Sequence, residues 1–214
     1  NLNGLWKYAI VDQAASAAPS NWDGDILVPF AVESALSGVG KSLSKDQALW
    51  YKNEISLPSR WQKGKTLLHF GAVDWRCDVY VNGQHVGQHE GGFDPFSFDI
   101  SAALKKGEKQ EVVIRVWDPT SDGPQPRGKQ INNPPGIWYT PVSGIWQTVW
   151  AESVPTTYIV DSKQTPDVDK SSLTVSANIA GAKSGDELLV EAFDGTQKIA
   201  EAKASADGTI NLPL

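Results

Sequence analysis

Residues 72–101 read AVDWRCDVYVNGQHVGQHEGGFDPFSFDIS, and this stretch decides the fold. Cys77, Val79 and Val81 alternate with Asp78 and Tyr80, the period of two that sends successive side chains to opposite faces of a β-strand. Asn82-Gly83 follows at once. A type I′ turn needs positive φ at both central residues, which this pair tolerates best, so a two-residue hairpin is predicted, with Val86 on the return strand. Gly91-Gly92 then breaks the chain, and Phe93, Phe96 and Phe98 place aromatic side chains along a third strand.

Outward from this segment, runs of β-branched and aromatic residues bounded by Gly, Pro, Asn and Asp predict further strands at Leu5 to Val11, Ile26 to Val28, Ala48 to Leu57, Lys65 to Phe70, Glu111 to Trp117 and Ile145 to Ser153. In the run Glu111 to Trp117, Val112, Ile114 and Val116 form one aliphatic face that should meet the core. Ser101 to Lys106 reads as one helical turn stopped by Gly107. Ala14 to Ala18 has helical propensity but lacks an apolar stripe and meets Pro19, so a surface loop is predicted.

Residues 118–144 are different in kind. They hold six of the 13 prolines and no strand or helix pattern. Connections beyond about 12–15 residues are usually functional or disordered. Here the prolines lower the entropy lost on ordering, and Arg127, Lys129, Gln130, Asn132, Asn133, Trp138 and Tyr139 supply donors and aromatic faces, so an ordered functional loop is expected. After Val154-Pro155 tryptophan disappears and short strands recur at Tyr158 to Asp161, Ser172 to Ile179, Glu187 to Phe193, Lys198 to Ala204 and Thr209 to Leu212. An immunoglobulin-like sandwich takes about 100 residues and seven strands; five strands over the remaining residues predict a truncated one.

Composition excludes several classes. With 19 basic and 25 acidic residues, a net charge of −6 and no dense basic cluster, nucleic acid is not an expected partner. No apolar run approaches the roughly 20 residues of a membrane helix, and residues 1–25 lack the charged and apolar regions of a signal peptide. The chain contains no methionine, so its natural start is expected to lie upstream, and a periplasmic or extracellular setting is slightly favoured in an otherwise open compartment. The single cysteine, Cys77, allows no intramolecular disulfide and reads as a buried filler. His89 and Glu90 are adjacent and face opposite ways on a strand, and three histidines without tight spacing predict no zinc site. Asp74, Asp78, Glu90 and Asp94 could furnish oxygen ligands to calcium, but no metal and no cofactor is expected.

The stretch 72–101 closely resembles the N-terminal sugar-binding domain of family 2 glycoside hydrolases, the β-galactosidases, β-glucuronidases and β-mannosidases. The resemblance is collinear along the chain. It runs through Gly4-Leu5-Trp6, Val28-Pro29-Phe30, Glu33-Ser34, Ser37-Gly38 and Leu49-Trp50-Tyr51. It continues through Gln125-Pro126-Arg127-Gly128-Lys129-Gln130 and Gly136-Ile137-Trp138-Tyr139-Thr140-Pro141 to Ser143-Gly144-Ile145-Trp146-Gln147. The resemblance implies an all-β chain: a galactose-binding-like jelly roll over residues 1–154, then a truncated immunoglobulin-like sandwich over 155–214. In the family a (β/α)8 barrel follows and carries both catalytic glutamates. A retaining glycosidase needs two carboxyl groups about 5–5.5 Å apart, and neither catalytic segment occurs here, so no catalytic residue is assigned and this stretch alone is expected to be inactive.

The resemblance also implies which residues meet sugar, since first-domain loops in the family reach over the barrel mouth. Carried over, these are Glu33, Ser34, Arg127, Lys129, Asn132, Asn133, Trp138 and Tyr139. Trp138 and Tyr139 either stack on a pyranose or brace the loop against the barrel, and Arg127 and Lys129 either orient the sugar or pair with barrel acids. Gly136 or Asn133 stands near where the best-known β-galactosidases place an aspartate. The implied role is to buttress the catalytic barrel of the same chain and shape its cleft for a carbohydrate substrate, with β-galactosidase-type specificity favoured over the other two. A homo-oligomer is allowed. The alternative is a free-standing carbohydrate-binding module. Trp6, Trp50, Trp117, Trp146 and Trp150 are expected in the core.

Overall fold

A computed structural model describes every residue except Asp207, with only the backbone described at Gln62. The chain is all-β, with sixteen strands and four short 3₁₀ turns among the described residues. The strands are β1 (Gly4–Asp12), β2 (Gly24–Val28), β3 (Gln47–Ser56), β4 (Lys65–Phe70), β5 (Val73–Asp74), β6 (Arg76–Val81), β7 (Gln84–Glu90), β8 (Phe96–Asp99), β9 (Lys109–Trp117), β10 (Gly144–Ile145), β11 (Val149–Val154), β12 (Tyr158–Asp167), β13 (Ser172–Ala180), β14 (Glu187–Asp194), β15 (Gln197–Ser205) and β16 (Thr209–Pro213). They divide into two compact units, Asn1–Ser153 and Val154–Leu214. No helix of the described residues is long and apolar enough to cross a membrane.

The first unit packs a six-stranded sheet, ordered β2-β1-β3-β9-β6-β7, against the three-stranded sheet β11-β4-β8, with the pair β10-β5 beside them. Between the layers lies one apolar core that includes Trp6, Tyr51, Phe70, Ile114 and Ile145. Alternation assigns its walls. Val112, Ile114 and Val116 are fully buried as the sequence predicts, and each pairs across to β3 or β6 in antiparallel register. The β6–β7 hairpin closes with Val81 opposite Gln84, Asn82 and Gly83 having φ of 52° and 83°. A bulge between Val79 and Tyr80 absorbs Val86 and strengthens the local twist.

Three predicted elements differ. The run from Ile145 to Ser153 is not one strand, because the chain changes partner there: β10 pairs with β5 and β11 begins only at Val149. Trp146 sits at the crossing, its indole N–H donating to Gly92 O at 2.8 Å. Phe93 lies outside β8, since Pro95 offers no ladder donor, and it packs edge-on against Trp146 instead. The predicted turn from Ser101 to Lys106 ends at Leu104, well before Gly107. Of the five tryptophans predicted in the core, Trp6 is in the main core. Trp50 is buried on the outer face of the large sheet, and Trp117, Trp146 and Trp150 are only half-buried.

The second unit has five strands in two sheets, β12-β13-β16 and β14-β15. Its core is small, built on Leu188, Ile210 and Leu212 with alanines from β15. β12 runs on to Asp167 through Pro166, which an edge strand tolerates.

Candidate functional site at the base of the long loop

The connection from β9 to β10 is ordered from its base. Asp118 is buried and its carboxylate is fully used: Oδ1 accepts from Thr120 N at 2.7 Å and Gln125 Nε2 at 3.3 Å, and Oδ2 accepts from Ser143 Oγ at 2.6 Å. Thr120 carries φ of 47°, a costly conformation for a β-branched residue, and the Asp118 bond fixes it there. Ser143, also buried, donates its backbone N–H to Glu33 Oε2 at 2.9 Å. Ser143 therefore joins two carboxylates from separate segments.

A third carboxylate completes the cluster. Asp74, at the end of β5, is buried and hydrogen-bonded to the Gln130 side chain. Burial pushes the Glu33 carboxyl up from 4.5 to about 7, and the nearby Asp118 charge adds to this against the Ser143 bonds. Burial likewise pushes Asp74 from 3.8 to about 7, with Asp118 and Glu33 contributing in the same direction. Two glycines make the geometry achievable. A Cβ on Gly92 would lie 2.6 Å from the Asp74 carboxyl carbon, and one on Gly144, whose φ is 86°, would overlap the Tyr51 hydroxyl that accepts from Ile145 N at 3.1 Å.

From this base the loop rises to an exposed tip. Tyr139 N donates to Lys129 O at 2.9 Å and Ile131 N to Tyr139 O at 3.2 Å, tying the two limbs together. Gln130 Oε1 accepts from Val142 N at 2.6 Å. Beyond that tie Ile137 is 70% exposed, Tyr139 64% and Trp138 39%.

The expected sugar-facing residues thus fall into two groups. Glu33 belongs to the base. Ser34, beside it, caps a 3₁₀ turn by accepting from Leu36 N at 3.2 Å. Arg127 braces the loop through Ser121 O at 3.3 Å, and Asn132 N donates to Ser121 Oγ at 3.3 Å. Lys129, Asn133, Trp138 and Tyr139 are exposed, and their side chains make no hydrogen bond, ion pair or ring contact among the described residues. Sequence reasoning missed Asp74, Asp118, Gln125 and Ser143. A signal existed in buried-strand context: Asp118 directly follows an apolar strand, and Ser143-Gly144 directly precedes another.

The acids Asp74, Asp78, Glu90 and Asp94 do not converge. Asp78 takes bonds from Gln88 and His85, Glu90 lies 3.5 Å from Arg76, and Asp74 packs under Gly92. Among the described residues no group of three or more His, Cys, Asp or Glu side chains is arranged to hold a metal ion.

A jelly-roll-like sandwich with this loop defines a carbohydrate-enzyme accessory domain, and residues 39–155 match the family described as glycosyl hydrolases family 2, sugar binding domain. The chain belongs to that family. A β-glucuronidase of Canis lupus familiaris is 26% identical over 245 residues, covering 100% of this chain and 37% of the relative. A β-galactosidase of Thermoanaerobacter pseudethanolicus is 29% identical over 150 residues, covering 68% of this chain and 19% of the relative. The solved β-glucuronidase of Lactobacillus rhamnosus superposes with a TM-score of 0.75 at 25% identity, covering 98% of this chain and 37% of that one. This chain therefore spans between 19% and 37% of the length of these proteins.

Proposed function

We propose that this chain is the non-catalytic N-terminal part of a β-glycosidase, and that its loop tip completes the substrate cleft of a catalytic barrel in the same protein. The observation that carries this reading is the contrast within the loop: a base pinned by buried polar bonds, and a tip that presents Ile137, Trp138 and Tyr139 to solvent. Exposed aromatic side chains on a rigid support have little reason to exist unless something covers them. Residues 1–154 act as the jelly-roll support and 155–214 as the start of an immunoglobulin-like connector.

The substrate is a terminal β-glucuronide rather than the β-galactoside that the motifs first favoured. The relatives matched along essentially the whole chain are named β-glucuronidases, whereas the β-galactosidase match covers 68% of it. Arg127 and Lys129 supply the cations that a uronate carboxylate would meet, Lys129 being exposed and uncommitted.

The test is to assay p-nitrophenyl β-D-glucuronide and β-D-galactoside with the 214-residue chain and with the product of the complete reading frame. The chain alone should be inert and the complete product should prefer the glucuronide. Trp138→Ala with Tyr139→Ala should raise KM in the complete product. Hydrolysis by the chain alone would overturn the reading. Micromolar sugar binding by the chain alone would favour a free-standing carbohydrate-binding module.

A further inference from the structure

The outer face of the six-stranded sheet carries a second set of polar and aromatic side chains that the loop reading does not use. Strand register lines them up. Trp50 lies opposite Arg115, Arg115 opposite Asp78 and Asp78 opposite Gln88; in the neighbouring row Val113 is opposite Tyr80 and Tyr80 opposite His85. Because side chains alternate, both rows face away from the core filled by Tyr51, Val79 and Ile114.

The rows form a floor. The Trp50 and Tyr80 rings stack with centroids 6.2 Å apart and planes 22° apart. Asp78 Oδ1 accepts from Gln88 Nε2 at 3.0 Å and lies 3.3 Å from His85 Nε2, while Asp78 Oδ2 is 3.8 Å from Arg115. The alanine-rich loop after β1 forms the wall, held by the Arg115 guanidinium donating to Gln13 O. Its small side chains leave two cavities, of about 250 Å³ beside Trp50, Tyr80 and Glu111, and about 200 Å³ beside Asp78, Tyr80 and Arg115. Ser16 and Tyr80 line both.

One atom points to a ligand. Trp50 is 1% exposed, yet its indole Nε1–H has no acceptor among the described residues. Buried donors are nearly always satisfied, by protein, water or ligand, because an unmade bond leaves the full desolvation cost in place. The surrounding charges cancel locally: Arg115 faces Asp78, and Lys52 lies 2.6 Å from Glu111. The site therefore has no net charge to attract an ion, but it has donors, acceptors and an aromatic edge.

We infer that these joined cavities are a subsite for a neutral pyranoside, which packs a C–H face against Tyr80, accepts from Trp50 Nε1–H and donates hydroxyls to Asp78 and Glu111. Each cavity falls below the roughly 300–1,000 Å³ of drug-sized sites, so the ligand is one sugar ring rather than a chain. The residues involved are separate from those of the long loop.

The test titrates the ¹⁵N-labelled chain with methyl β-D-glucoside, methyl β-D-galactoside and methyl β-D-glucuronide, following the Trp50 indole N–H resonance, assigned through Trp50→Phe. A neutral glycoside should shift it saturably, and the glucuronide should bind about tenfold more weakly. Asp78→Asn should weaken the neutral glycoside about tenfold. Ser16→Phe, which fills the shared wall without touching the strand network, should abolish the response while leaving the unfolding temperature in place. Trp138→Ala should change nothing. The absence of a saturable shift up to about 100 mM of any glycoside, tighter binding of the glucuronide, an undiminished response in Ser16→Phe or its loss in Trp138→Ala would each overturn the inference.

Discussion

Glu33→Gln tests whether the base of the loop is an electrostatically strained cluster. Glu33 is held at about 7 against an ordinary 4.5, chiefly by burial. At about 1.4 kcal/mol per pH unit this gap amounts to roughly 3 kcal/mol of disfavour for the ionised form, which partial solvent contact reduces to about 1–3 kcal/mol. The sign follows from proton counting: the folded pKa lies above the unfolded one, so between about pH 4.5 and 7 the native state binds more protons, and stability falls as pH rises through that window. Glutamine keeps an oxygen to accept from Ser143 N, removes the charge facing Asp118 and relieves Asp74. The variant should therefore be more stable than the parent at pH 8 by about 1–3 kcal/mol, a rise of roughly 2–4 °C per kcal/mol for a unit of this size. Near pH 4, where Glu33 is already protonated in the parent, the two should unfold at nearly the same temperature. Thermal unfolding by circular dichroism at pH 4, 6 and 8 measures this. A variant less stable than the parent at pH 8, or a difference that does not change with pH, would refute the reasoning.

Further expectations concern packing, exposure and reactivity. Gly92→Ala drives a methyl group into the Asp74 carboxyl and should cost about 1–3 kcal/mol, read as a lower unfolding temperature; an unchanged temperature would mean that Asp74 is free to move. Trp138→Ala and Tyr139→Ala alter exposed side chains and should leave stability of the isolated chain within about 0.5 kcal/mol; a larger fall would show that the tip packs on its own domain. Burial pushes the Cys77 thiol up to about 12, so it should stay silent to a disulfide reagent at pH 8 until denaturant is added, when the single thiol should react. Rapid native labelling would contradict the buried position.

Much of the architecture was legible because it depends on local rules. The alternation of Val112, Ile114 and Val116 specifies which face is buried, and Asn82-Gly83 specifies a turn that few other pairs accommodate. The long loop was recognisable from its prolines, and several of its outward residues, such as Trp138 and Tyr139, were legible through motif resemblance. The buried half of the site was not. Asp74, Asp118 and Ser143 look like ordinary loop polar residues in sequence, and only the pairing of β5 with β10 brings them together.

The same division holds on the sheet face. The sequence by itself determined that Trp50, Tyr80, Asp78 and Arg115 sit on strands, and that Ala14 to Ala18 does not continue as a helix. Whether Trp50 belongs to the core, however, depends on register, since one residue of slip exchanges the two faces of a strand. Tertiary structure placed it on the outer face, under the alanine loop and without an acceptor for its N–H. Local propensity is set by neighbours a few residues apart, whereas the meeting of β3, β6 and β9 joins positions as distant as Trp50 and Arg115. Sequence spacing carries the first kind of information and only folding supplies the second.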